Sequence, residues 1–170
     1  SDLPDPNLLG GRLTRGEAQR LESDPFRPLL DKSLRETYYP GSTFKIIPAL
    51  AALEEGLIDP DQKQVCYGRY ELGRHVFRCM KAHGPVPLHE ALSQSCNVYF
   101  YHLAEKVGLE RMARWAERFG FGQPMGLGLG EASGFVPTLE YYKQHGGFRG
   151  GYALNTALGQ GAVRSSVLQL

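Results

Sequence analysis

The sequence predicts a mainly α fold with a few short strands, on three observations. Two stretches, "LHEALSQSCNVYFYHLAEKVG" and Leu109 to Phe119, repeat apolar side chains at helical spacing. Runs with the two-residue alternation of a half-buried strand are short, and three is the most that can be found. The composition is globular: 42% of the 170 residues are apolar and 22% are charged, enough to bury a core and too apolar for wholesale disorder.

Taken in order, the first 35 residues are polar and interrupted by Pro4, Pro6, Pro25 and Pro28, with a short helical pattern from Arg15 to Ser23. In "YYPGSTFKIIPALAALEEG", Pro40 and Gly41 signal a turn, a helix starts near Ser42 or Thr43, and Gly56 is placed to stop it. Residues 59 to 87 alternate weakly among turn residues and read as one or two short strands or an irregular excursion. The strongest helical pattern follows and closes at Gly108. A second amphipathic helix sets Leu109, Met112, Ala116 and Phe119 on one face. Beyond Gly120, "FGFGQPMGLGLGE" reads as loop, and a last helix begins at about Ser165. Trp115, Phe119 and the Tyr99–Phe100–Tyr101 run are expected in the core. His75, His89, His102 and His145 are expected at the surface or in packing roles.

Several function classes are disfavoured. A net charge of +1 leaves no electrostatic footprint for nucleic acid or an anionic membrane. No apolar run approaches the ~20 residues of a membrane helix; the greasiest window, "IIPALAAL", reads as a buried helix. Three cysteines cannot all pair, which excludes a pure disulfide scaffold.

The chemistry-bearing residues fall in two places. Ser42 and Lys45 stand three apart at a helix start, where both can face one way. A lysine whose pKa is depressed by burial can take the proton of a serine nucleophile. About fifty residues on, Ser95 and Asn97 offer a hydroxyl to relay a proton and an amide to hold a substrate carbonyl. Each motif alone also reads as a cap or a solvated surface group. Their order, with Pro40–Gly41 before and aromatics after, is hard to meet by accident.

"YYPGSTFKIIPALAALEEG", "ALSQSCNVYFYHLAEKVG" and "ALGQGAVRSSVLQL" closely resemble the transpeptidase domain of class B penicillin-binding proteins, most of all the penicillin-binding protein 2 group of cell elongation. The resemblance runs from about Pro4 to the end and includes the S-x-x-K motif (Ser42, Lys45), the S-x-N motif (Ser95, Asn97) and the Gly159–Gly161 segment. It implies the helical portion of an α/β penicillin-binding and β-lactamase-like fold. It also implies peptidoglycan D,D-transpeptidation: Ser42 as nucleophile, Lys45 as general base, Ser95 as proton relay and Asn97 as substrate-positioning amide. Stem peptides and β-lactams would be the ligands, and no cofactor would enter the chemistry. A glycan polymerase and elongation proteins would be partners of a membrane-anchored parent on the extracytoplasmic face. The family's third motif, K-T-G or a close variant, is not found in these 170 residues. The chain therefore reads as a partial domain, and alone it is expected to be a poor or inactive transpeptidase. A serine β-lactamase, a β-lactam sensor or a non-catalytic zinc-stabilised scaffold are the alternatives.

Cys66, Cys79, His83 and Cys96 use every cysteine in the chain, in the pattern C-x12-C-x3-H-x12-C. Three thiolates and an imidazole form a common tetrahedral zinc set. A Cys66–Cys79 disulfide, suited to an extracytoplasmic family, and three unlinked thiols are the other readings. If zinc is held, Cys96 faces away from Ser95 and Asn97 and ties the 66–83 excursion to the S-x-N segment.

Overall fold

A computed structural model describes residues 10–170; the stretch with Pro4 and Pro6 lies outside the described residues. The expected short helix is α1 (Arg15–Ser23). Its first turn is closed reciprocally, since Glu17 donates its N–H to the Thr14 hydroxyl and its carboxylate accepts from the Thr14 N–H. A single turn, α2 (Lys32–Arg35), follows and is capped by Asp31.

The segment carrying Ser42 starts as a 3₁₀ turn, Gly41–Lys45, and continues as α3 (Ile46–Glu54). Pro48 has no N–H to offer the Phe44 carbonyl, which suits the tighter spacing just before it. Residues three apart eclipse in a 3₁₀ helix, so Ser42 and Lys45 share one face more closely than an α-helix would allow. Gly56, at φ +64°, ends the helix as its sequence position predicts.

The excursion is more ordered than its weak alternation indicates, with four strands against an expected one or two. β1 (Gln64–Cys66) pairs antiparallel with β4 (Gly84–Val86), and β2 (Arg69–Leu72) pairs with β3 (His75–Arg78). Gly73, at φ +60°, supplies the left-handed backbone of the two-residue β2–β3 turn. On one face of this hairpin Tyr70 and Phe77 pack on Tyr101, with ring centroids 5.6 and 5.4 Å away.

The long helical pattern after residue 87 is broken, contrary to expectation. α4 (Leu88–Ser93) ends, a turn through Ser95 intervenes, and α5 (Asn97–Val107) starts anew with Cys96 at its N-cap. α5 is the axis of the molecule: seven of its eleven residues are buried, including Tyr99, Phe100 and Tyr101, and it packs on α3, α6 and α8. Such all-round burial is what its long apolar run calls for.

α6 (Leu109–Arg118) buries Leu109, Met112 and Ala116, but Phe119 lies beyond its end and is 51% exposed, outside the core where periodicity placed it. Glu55 joins α3 to α6, accepting from Trp115 Nε1 at 3.0 Å and Arg111 Nε at 2.7 Å. The glycine-rich stretch after residue 120 is loop, as expected. Two helices went unforeseen, α7 (Leu139–Gln144) and α8 (Gly150–Ala157). α8 opens on two glycines, poor helix formers that a sequence scan reads as turn. Their bare backbone lets the β2–β3 hairpin approach: a Cβ on Gly151 would lie 2.9 Å from the Phe77 ring. The helix expected from Ser165 is a 3₁₀ turn, Val167–Gln169. No helix among the described residues is long and apolar enough to cross a membrane.

Candidate active site and cysteine cluster

Ser42, Lys45, Ser95 and Asn97 come together where the 3₁₀ turn meets the break between α4 and α5. Lys45 is 1% exposed, and its Nζ is surrounded by acceptors: Ser95 O at 2.9 Å, Ser95 Oγ at 2.9 Å and Asn97 Oδ1 at 2.8 Å. Ser95 Oγ in turn lies 3.0 Å from Ser42 Oγ. Ser42 is exposed at the surface while Lys45 is buried. Burial pushes the Lys45 amine below the ordinary lysine value, with negative charge on Cys79 and Cys96 able to pull it back up. The path from Ser42 to Lys45 therefore runs through the Ser95 hydroxyl. A hydroxyl rotates to suit its partners, so Ser95 can accept from Ser42 while donating to a neutral Lys45.

The break in the helix makes this possible. Ser95 has φ +53°, a left-handed conformation rare outside glycine. A continuous helix would commit its carbonyl to a residue four further on; the break turns that carbonyl, with Oγ, toward Lys45. Backbone strain at a non-glycine residue of this kind is often found where a site requires it. Asn97, first in α5, is held on its other side as well: its Nδ2 donates to the Arg78 carbonyl at 3.3 Å, which also accepts from Tyr101 Oη at 3.3 Å.

Sequence reasoning identified the Gly159–Gly161 segment only by resemblance; its physical role is to seat the turn that carries Ser42. Gly41 N–H donates to Gly159 O at 3.0 Å, and a Cβ on Gly159 would sit 2.8 Å from Phe44 Cβ and collide with the Gly41 backbone. Gly159 also has φ +65°, so steric room and backbone conformation both call for glycine.

The second constellation lies behind the first. All three cysteines are free thiols. The donor atoms of Cys66, Cys79, His83 and Cys96 lie within 4.8 Å of one another. Sulfurs of Cys66 and Cys79 each stand 3.5 Å from His83 Nδ1. In a tetrahedral zinc site with ordinary Zn–S and Zn–N bonds, the S–N edge is about 3.6 Å. One imidazole lone pair accepts only one thiol proton, so two sulfurs at that distance suit a shared cation better than hydrogen bonding. The residues fit zinc in type, number and spacing. Their thiols differ: burial pushes Cys96 above the ordinary value, whereas for Cys79 the effect of burial is outweighed by the N–H groups of Val98, Asn97 and Lys81, which hold it below. Asn97 N–H donates to Cys79 Sγ at 3.2 Å, a direct link between the two constellations that no motif announces.

The model for the penicillin-binding protein transpeptidase domain matches residues 8–170 of this chain. The chain belongs to that family. Among curated relatives, peptidoglycan D,D-transpeptidase MrdA of Acinetobacter baumannii is 33% identical over an alignment of 172 positions that covers 97% of this chain and 26% of that protein. Among solved structures, Pseudomonas aeruginosa PBP2 in complex with WCK 5153 superposes with a TM-score of 0.89 at 34% identity, covering 99% of this chain and 40% of that one. A ceftriaxone acyl-enzyme complex of penicillin-binding protein A from M. tuberculosis gives 0.84 at 27% identity, covering 99% and 38%. The chain thus spans about a quarter of the curated relative and two fifths of these structures. The mainly helical architecture, with its few short strands, is that of the penicillin-binding protein transpeptidase fold.

Proposed function

We propose that this chain is part of a peptidoglycan D,D-transpeptidase of the penicillin-binding protein 2 type, acting on the extracytoplasmic face of the membrane. The observation that carries the reading is the Ser42–Ser95–Lys45 hydrogen-bonded chain ending on a buried, depressed lysine. Ser42 Oγ attacks the penultimate D-alanyl carbonyl of a stem peptide. Its proton passes to Ser95 while the Ser95 proton passes to Lys45. Collapse of the tetrahedral intermediate breaks the peptide bond, and the leaving D-alanine amine takes a proton back along the same path. An amine from a neighbouring stem peptide then accepts the acyl group. Asn97 Nδ2 and Oδ1 are both engaged within the protein, so its first duty is to hold Lys45; positioning of the substrate amide is a second. β-Lactams acylate the same oxygen. The A. baumannii relative is a peptidoglycan D,D-transpeptidase, and the M. tuberculosis structure is a ceftriaxone acyl-enzyme. The domain is partial in this reading, with the K-T-G motif contributed by further chain, and a glycan polymerase and elongation proteins are partners of the whole protein. The test is fluorescent-penicillin labelling of the full-length protein: one label per chain, abolished by Ser42→Ala, is expected. Labelling that survives this substitution refutes the assignment.

The same reading includes structural zinc on Cys66, Cys79, His83 and Cys96. The ion supplies no reaction chemistry. Cys79 Sγ accepts the Asn97 N–H, so fixing that sulfur fixes the first residue of α5. Elemental analysis with a thiol count in denaturant decides it: about one zinc per chain and three thiols after chelation support the site. No metal, with a single free thiol, would make Cys66–Cys79 a disulfide.

A further inference from the structure

Positive charge is unevenly spread over this chain. Residues 64–86 hold Arg69, Arg74, Arg78 and Lys81 against the single carboxylate of Glu71, although the whole chain carries only +1. In the β2–β3 ladder Arg69 stands directly opposite Arg78. Like charges so placed repel and weaken a hairpin. Both arginines are exposed, and strand alternation sets them on the face opposite Tyr70 and Phe77, which turn inward onto α5. Arg69 has only a 3.4 Å exposed pair with Glu71, and Arg78 has no carboxylate partner among the described residues. The segment bearing Lys81 lies against Gly68, where an added Cβ would be 3.3 Å from Ala82 N. The end of β3 lies beside the candidate site, because the Arg78 backbone carbonyl accepts from Asn97 Nδ2 at 3.3 Å.

We propose that the outward face of the β2–β3 hairpin, centred on Arg69 and Arg78, is an anion-binding surface that receives a carboxylate of the stem peptide engaged at Ser42. The proposal rests on the transpeptidase reading and adds a substrate contact to it. Stem peptides carry carboxylates beyond the scissile bond, and a guanidinium fork matches a carboxylate bidentately. A bound carboxylate also relieves the repulsion between the paired arginines, so part of their mutual destabilisation favours the complex over the free protein. The contact is solvent-facing, and its contribution falls with ionic strength.

The test uses full-length protein carrying Ser42→Ala, so that binding is read without turnover. Two synthetic stem pentapeptides are titrated, one with its carboxylates free and one amidated at every position except the terminal D-alanine. About a fivefold preference for the free-carboxylate peptide is expected at low salt. Arg78→Gln and the pair Arg69→Gln/Arg78→Gln are expected to erase it, and Arg78→Lys to retain part of it. No preference in the starting protein, a preference that persists in the double variant, or equal loss for both peptides overturns the proposal. So does a double variant that keeps the preference and loses binding to vesicles of anionic lipid, which would make the face a membrane contact. Penicillin labelling of protein with Ser42 intact separates the two readings. Failed labelling counts against the transpeptidase assignment, whereas labelling without a peptide preference sinks only the anion surface.

Discussion

Ser95 carries two burdens at once, a strained backbone and the middle position in the hydrogen-bonded path, and substitution separates them. Ser95→Ala and Ser95→Gly both delete the hydroxyl that joins Ser42 Oγ to Lys45 Nζ. Each should slow penicillin acylation of the full-length protein about a hundredfold in stopped-flow measurements. Their stabilities should differ: at φ +53° glycine escapes the left-handed penalty, so the glycine variant should be about 1 kcal/mol more stable than the alanine variant in denaturant titration. Equal stabilities would contradict the strain assigned here. Lys45 gives a pH signature. Its amine is depressed by burial, and only the neutral form can take a proton, so acylation should rise with pH to a plateau whose midpoint lies below the ordinary lysine value of 10.5. Stability has the same sign. Between the folded and unfolded pKa values the unfolded chain binds the extra proton, so raising pH through that window favours the fold. Lys45→Arg, which cannot deprotonate, should be inactive at every pH tested.

At the scale of elements, the site is a junction of parts that each need a neighbour. The 3₁₀ turn with Ser42 is seated by Gly159, and Gly159→Ala should destabilise the protein by about 2–4 kcal/mol and slow acylation, because the turn must shift to admit a Cβ. A melting curve and a labelling rate on the same sample check both. The start of α5 is held by Cys79 Sγ on the Asn97 N–H. If zinc fixes that sulfur, chelation should lower the melting temperature and slow acylation together, and zinc added back should restore both. Loss of stability with an unchanged acylation rate would leave the cluster a staple with no bearing on Asn97.

Over the whole molecule, an apolar groove of Ile46, Ile47, Phe119, Phe121 and Leu170 opens beside Thr43, the neighbour of Ser42, with Ile46 and Phe119 more than half exposed. The 170-residue polypeptide by itself, without a K-T-G motif to supply oxyanion contacts, should label with penicillin at least about a hundredfold more slowly than a chain extended through that motif; equal rates would refute the partial-domain reading. Much of this protein was legible beforehand. Helical period marked α1 and α6, Pro40–Gly41 and Gly56 bracketed α3, the S-x-x-K and S-x-N residues stood out by type and order, and the four soft donors were the complete cysteine set plus one histidine. Those are local properties, written in the spacing of a few residues. The break at Ser95, the helix hidden behind Gly150 and Gly151, the placement of the Ser95 hydroxyl directly between Ser42 Oγ and Lys45 Nζ, and the link from Cys79 to Asn97 were not legible. Each depends on groups 18 to 53 residues apart or on a backbone bent against its own propensity. Only packing around α5 brings such groups within hydrogen-bonding distance and stabilises the strained turn, and no local spacing encodes that energy.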